Sequence, residues 1–499
     1  MAALSAPPQR LSMLKPLNLP VFVEAEAGVD KSYLAERDER GYKILRGDAV
    51  FDVTPKAFSD NTTHDEGRVR KNRIPYIEGL RGLAGFQVLL YVFFRIFAPA
   101  IVTDRDLDGT FPAEFTKTSP NWQNQVRKAL SPLLWNGTLQ ATMFIILMGR
   151  TALQTFFERR EGVTLAGPGF RRPFRLFFPL ASALALTSVV AALNGFKHAP
   201  AMADSLNNVL AQPPKVWAST VEYVNSIVAM YFTPYPYTTS VASSYIPPSG
   251  IMWFTSIVFQ QTYVLTVYAW ILPFTIFRWK NIGLVTLIVL SAWMGRWSWY
   301  TLTGLAIAEY SVCYRAVLPE EGIPLNSEKT KFLNPKLVPA IFVLLGVVFK
   351  YLWIAALPAK FYNELIGHIN LNTGMLNHDF EYINIAYPRW DDWFLCTGLV
   401  VLVELSPSLQ RFFSHGLLRY FGRLAFSIAL ISGTVMLSLG SLLYSHLTQS
   451  LGWSNQAQIL AVLFFSMIPL SVVCADIWSR LVDDAAMSFA RGIFHFFRT

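Results

Sequence analysis

Charge is what this sequence has least of. Only 15% of its 499 residues are Asp, Glu, Lys or Arg, against about 25% in an average soluble domain. That deficit excludes a disordered chain and argues against a soluble enzyme. Cysteine is scarce as well: Cys313, Cys396 and Cys474 each sit inside an apolar run, which gives no basis for a disulfide scaffold or a zinc cluster. The usual signatures of soluble catalysis are missing too, with no Gly-x-Ser-x-Gly elbow, His-Glu-x-x-His, phosphate loop or dinucleotide-type glycine pattern. No apolar core of a secretory signal is found in Met1–Val23, so the first span is expected to direct insertion. What the chain does have is grease, at 53% hydrophobic residues, 14% aromatic residues and a mean hydropathy of +0.35.

The apolar residues fall into runs of bilayer-crossing length, roughly 17–25 residues. Ten are read, near 76–102, 131–157, 174–194, 251–274, 281–295, 297–314, 338–357, 390–406, 424–447 and 457–479. A lipid-embedded backbone has to satisfy its own hydrogen bonds, so the runs are helices. The expected fold is all-α, a polytopic membrane protein of about ten spans. Residues 1–74 form a polar N-terminal tail, 75–480 the membrane domain, and 481–499 an amphipathic C-terminal helix.

Basic residues set the orientation. If ten spans alternate, Arg68–Arg73, Arg159/Arg160/Arg171/Arg172, Arg278/Lys280, Arg315/Lys329/Lys331/Lys336, Arg411/Arg419/Arg423 and Arg480/Arg491/Arg498 share one side. Positive loops face the cytosol, which places both termini there. The net charge of +9 is therefore a topology signal, and nucleic acid is not an expected partner. Long loops near 103–130, 195–250 and 358–389 occupy the opposite side; the second holds Phe232, Tyr235, Tyr237 and Tyr245. Phe489, Ile493, Phe496 and Phe497 recur at helical spacing near the C-terminus, which suits a helix on the inner leaflet or one packed beneath the bundle.

Ionisable residues within a membrane are functional candidates by default. Arg81 lies one turn into the first span and calls for an anionic partner, or else it snorkels; Val88, Val92 and Arg95 continue its face. Arg172 and Arg175, one turn apart at the expected start of the third span, suit a phosphate or pyrophosphate through forked donors and free helix N–H groups. The positive-inside rule explains the same pair equally simply. Arg95, Glu309 and Lys350 are cavity candidates, whereas Gln87, Gln260 and Gln261 fit interhelical hydrogen bonds. No metal site is read.

Taken together, these stretches resemble the acyltransferase 3 family of integral membrane acyltransferases. Glu78-Gly-Leu-Arg81-Gly82-Leu-Ala84 is similar to the family's opening signature, and Phe144-Ile-Ile-Leu-Met-Gly149 to its second-span segment. Arg172-Pro-Phe-Arg175-Leu-Phe-Phe-Pro179 resembles the Arg-x-x-Arg motif in its fungal form. Met252-Trp253-Phe-Thr, Gly304-Leu-Ala-Ile-Ala-Glu309 and Phe421-Gly-Arg423-Leu-Ala-Phe426 follow in family order. The resemblance runs from about residue 75 to 480 and implies ten helices. It also implies acyl transfer from cytosolic acyl-CoA to a hydroxyl on a carbohydrate, lipid or small metabolite, with Arg81, Arg172 and Arg175 on the acyl donor. No bound cofactor is implied beyond that co-substrate.

The catalytic positions depart from the family. Val92 stands where a histidine base is implied, Val258 where a glutamate is, Met148 where serine is usual, and Ala425-Phe426…Ala429-Leu-Ile-Ser432 replaces a Ser-Tyr…Tyr-Leu-x-His pattern. A placed general base contributes typically 10²–10⁴-fold, and valine accepts no proton. His198, His368 and His378 fall in expected outer loops and His446 near the outer end of the ninth span, all read as solvated. Two expectations follow. One is an acyltransferase whose base is relocated or whose acceptor is an amine; the other is an inactive relative that binds or carries a lipid or acyl-CoA.

Overall fold

Each of the ten apolar runs contains a helix in the computed structural model. It describes residues 74–105, 110–159, 162–214, 217, 219–232, 246–248, 251–271, 275, 277–314, 323–324, 332–370, 373–377 and 387–497. The tail with Arg68–Arg73, and Arg160, Arg315, Lys329, Lys331, His378, Tyr235, Tyr237, Tyr245 and Arg498, lie outside the described residues, as do the side chains of Arg159, Arg278 and Cys313.

The principal helices are α1 (Pro75–Phe97), α2 (Asn121–Leu134), α3 (Gly137–Ala152), α4 (Gly162–Ala192), α5 (Thr220–Phe232), α6 (Phe254–Ile271) and α7 (Phe277–Trp293). They continue with α8 (Ser298–Glu309), α9 (Leu337–Tyr351), α10 (Trp390–Leu405), α11 (Gly416–Val435), α12 (Gln456–Trp478) and α13 (Asp484–Phe496). Among the described residues the extended structure is one antiparallel pair, Ile323–Pro324 with Phe332–Leu333, and one isolated bridge, Ile369 with Leu376.

Among the described residues six helical stretches are long and apolar enough to cross a membrane, or seven if α10 and the helix Pro407–Phe413, bent by 107°, count as one. The expected ten is not reached on length and composition. The fifth and sixth expected spans show why: α7 has 17 residues and α8 has 12. With its π-turn Tyr310–Tyr314 α8 reaches 17 residues, and 17 helical residues span about 25 Å, still short of a hydrocarbon core of roughly 30 Å.

Two expected boundaries move. The stretch read as an outer loop at 195–250 contains α5, which runs antiparallel along α4. Tyr223 donates to the Ala181 carbonyl at 2.7 Å, and Tyr231 to that of Pro173 at 3.5 Å. At 13 residues α5 is too short to read as a span, which is why the hydropathy pattern concealed it. The third span, expected from residue 174, begins as α4 at Gly162 and carries Pro168, Pro173 and Pro179 within it.

Glycine sets the tightest helix crossings. A Cβ at Gly82 would lie 1.7 Å from the Leu418 carbonyl oxygen, and one at Gly422 would lie 2.0 Å from that of Glu78, so α1 and α11 meet backbone to backbone. Gly149 of α3 and Gly304 of α8 interlock in the same way. Close approach through small residues is the main source of helix attraction where lipid removes the hydrophobic drive.

The C-terminal helix α13 continues from α12 through the π-turn Ser479–Asp483. Phe489 packs on Phe178 at 4.7 Å, and Phe494 and Phe497 pack on Phe170 at 5.6 and 5.5 Å. Phe496 stays 76% exposed. The helix thus lies against the first half of α4, with part of its apolar face left outward.

Candidate functional site

The α1–α11 crossing places Arg81 against the partner backbone, where its Nη2 donates to the Gly422 carbonyl at 3.1 Å. Arg172 and Arg175, one turn apart on α4, are close enough that Arg172 feels the positive charges of both Arg175 and Arg81. Arg81 and Arg172 are half-buried and Arg175 is exposed. Beside them Ser427 of α11 donates to Asp483 Oδ2 at 2.5 Å, and Asp483 lies within reach of the Arg175 charge. Of the three sequence-predicted arginines, Arg81 and Arg175 thus lie within electrostatic reach of Arg172 at the Pro75 end of the bundle.

One part of the expectation fails. Arg172 and Arg175 are not at a helix start, because α4 begins ten residues earlier, at Gly162. Its free N–H groups belong to that first turn, so the helix terminus adds nothing at Arg172. Anion recognition here rests on the guanidinium forks, which match phosphate oxygens in pairs.

The other predicted residues separate. Arg95 is buried at the far end of α1, where its Nη1 donates to the Tyr91 hydroxyl. Glu309 pairs with Lys280, linking α7 and α8. Lys350 joins Asp391 and Asp392 of α10. Each of the three thus belongs to a separate contact. Val92 and Val258 are buried apolar residues, with no proton acceptor in either side chain. The glutamines bond between elements: Gln87 donates to the Leu133 carbonyl at 2.9 Å, Gln260 to that of Phe232 at 3.1 Å, and Gln261 accepts from Thr301 at 2.9 Å.

His368, expected to be solvated, is fully buried. Its Nδ1 lies 2.7 Å from the Ala292 carbonyl, and its ring stacks on Trp390 at 6.2 Å. Burial lowers its pKa and keeps the imidazole neutral. His446 is exposed and His198 half-buried.

Two buried networks escaped the sequence reading. In the first, Arg389 grips Asp391 in bidentate fashion, Nε to Oδ1 at 3.0 Å and Nη2 to Oδ2 at 3.1 Å, and reaches Glu364 at 2.5 Å. Lys350 Nζ lies 2.6 Å from Asp392 and 3.3 Å from Asp391. Two cations thus face three carboxylates. Burial outweighs the attraction of Arg389 and pushes Glu364 up to about 7, so near neutrality its proton brings the cluster towards charge balance. In the second network Glu404 accepts from Arg150 at 2.8 Å, Tyr76 at 2.7 Å and Ser311 at 3.0 Å. The run Arg389-Trp-Asp-Asp392 at the head of a span was the available signal for the first. Partners as far apart as Arg150 and Glu404 leave none.

No protein family, no curated protein and no solved structure matches this chain.

Proposed function

We propose that this is a multipass membrane protein of the acyltransferase 3 type, with about ten spans and both termini cytosolic, that binds acyl-CoA through Arg81, Arg172 and Arg175. The observation that carries this reading is the gathering of three guanidiniums from α1 and α4 into one neighbourhood. Clustered positive charge favours an anionic ligand, and guanidinium forks match the oxygens of a pyrophosphate in pairs. The acyl group then passes to a hydroxyl or amine of a lipid, carbohydrate or small metabolite.

A second reading has its own support. Val92 and Val258 are apolar and buried, which suits an inactive descendant that binds or carries a lipid or acyl-CoA. Both readings share the donor site.

Titrating the purified protein in nanodiscs with acetyl-CoA and palmitoyl-CoA tests that site. Saturable binding is expected, weakened at least tenfold in the double variant Arg172→Ala/Arg175→Ala, since each charge-assisted hydrogen bond contributes about 1.5–3 kcal/mol. No binding, or binding indifferent to the double variant, overturns the proposal. Turnover with a panel of alcohols and amines separates the two readings, and a gain of turnover confined to Val92→His favours the inactive descendant.

A further inference from the structure

At the Phe97 end of α1, a cavity of about 140 Å³ opens between α1, α2, α3 and the start of α6. Trp253 and Phe361 contribute aromatic wall, and Thr138, Gln140, Arg105 and Arg127 contribute polar wall. Arg127 is 6% exposed and Gln140 1% exposed. Arg105 Nη1, Arg127 Nε and Gln140 Oε1 are buried with no hydrogen-bond partner among the described residues. Such groups are normally satisfied in native structures, and exceptions ask for a missing partner.

Each of the three side chains is anchored by its remaining atoms. Arg127 Nη1 donates to the Ala100 carbonyl at 3.1 Å and to Asn124 Oδ1 at 2.8 Å. Gln140 Nε2 donates to the Leu134 carbonyl at 3.5 Å. The Arg105 guanidinium lies 3.4 Å from the Phe361 ring centre, whose other face is covered by Arg389 at 3.6 Å. Fixed side chains, each with a donor or acceptor in reserve, are what a preorganised polar site requires. Asp104, with Oδ1 at 3.7 Å from Arg105 Nε, offsets one of the two positive charges and leaves the wall cationic by one.

We propose that this cavity binds a small carboxylate that also carries a hydroxyl or amine. The carboxylate takes donors from Arg105 and Arg127, and the hydroxyl or amine donates to Gln140 Oε1. The aromatic wall packs the carbon skeleton. A cavity of about 150 Å³ holds benzene, so the ligand is limited to about six to eight non-hydrogen atoms.

The binding claim stands on the cavity alone. Its assignment as the acceptor pocket rests on the acyl-transfer reading above. Tyr91 and Val88 line the cavity, and Val88 is about 10 Å along the helix axis from Arg81. In that reaction the ligand oxygen or nitrogen forms a bond to the thioester carbonyl carbon and the C–S bond breaks. The ligand's proton leaves with the thiolate as free coenzyme A.

The test is isothermal titration of the full-length protein in nanodiscs with D-glycerate and with L-serine, using glycerol and propionate as controls. Saturable binding of glycerate or serine is expected, with both controls at least tenfold weaker. Arg127→Gln and Gln140→Leu should each weaken binding at least tenfold, and the neutral Gln140→Leu serves if Arg127→Gln does not fold. Neither compound binding, glycerol binding as well as glycerate, or binding unchanged by Gln140→Leu overturns the proposal. The acyl-CoA titration on the same preparation fails or succeeds independently, so a failure of the donor site is not mistaken for a failure of this one.

Discussion

Two groups of cations in this molecule differ in what faces them. Arg389 and Lys350 look onto Asp391, Asp392 and Glu364 at 2.5–3.3 Å, whereas the charges that press on Arg172 are those of Arg175 and Arg81. A cation inside a carboxylate cage is a clamp: it ties α9 and α10 to the segment Pro358–Gly367, and no charge is left over for a ligand. Around Arg172 the like charges of Arg175 and Arg81 stand beside a single nearby carboxylate, Asp483, which lies within reach of Arg175. The comparison teaches that, in a chain short of charge, the partner of each arginine says more about its role than its depth does.

The difference breaks most visibly in stability. Replacing Lys350 by Met leaves Asp391 and Asp392 facing Arg389 alone, and losing one member of a buried ion cluster costs about 3–5 kcal/mol. A marked drop in thermal unfolding temperature in detergent is expected. An unchanged midpoint would show the cage to be dispensable.

A pH series sharpens the same point. Glu364 sits at about 7, above its ordinary carboxylate value, so its contribution to stability is full below pH of about 4.5 and lost as pH rises through about 7. Stability should therefore fall over that window by something of order 3 kcal/mol, before the other carboxylates of the cage are counted. In Glu364→Gln the fall should flatten. A slope that persists in the variant assigns the titration to another group.

The smallest stability effect belongs to the other cations. The double variant Arg172→Ala/Arg175→Ala trims one half-buried and one exposed side chain, so its unfolding midpoint should stay within the roughly 0.5 kcal/mol typical of surface changes while acyl-CoA affinity drops. A destabilisation as large as that of Lys350→Met would make these arginines structural.

Much of this architecture was legible in the sequence because lipid imposes a simple code. Apolar runs of sufficient length must be helices, and each expected run contains one. What the code missed were elements outside its length rule: α5, hidden in a presumed loop, and the first twelve residues of α4, where two prolines and two adjacent arginines masked a continuing helix. At the candidate site the three arginines stood out because charge is rare in apolar surroundings. Their convergence did not, since Arg81 and Arg172 are far apart in the chain. The cage around Lys350 was harder still, because Glu364 comes from a segment read as a loop. The C-terminal helix was ambiguous for a physical reason: one phenylalanine stripe serves equally to pack on α4 or to enter a leaflet, and the structure uses Phe489, Phe494 and Phe497 for the former.

The most direct examination of the central claim is a cryo-EM map of the protein in nanodiscs saturated with palmitoyl-CoA. The account predicts density for the pyrophosphate between Arg81, Arg172 and Arg175, with all three guanidiniums turned onto it. Nucleotide density elsewhere, or arginine side chains turned outward onto lipid headgroups in the presence of saturating ligand, would contradict it.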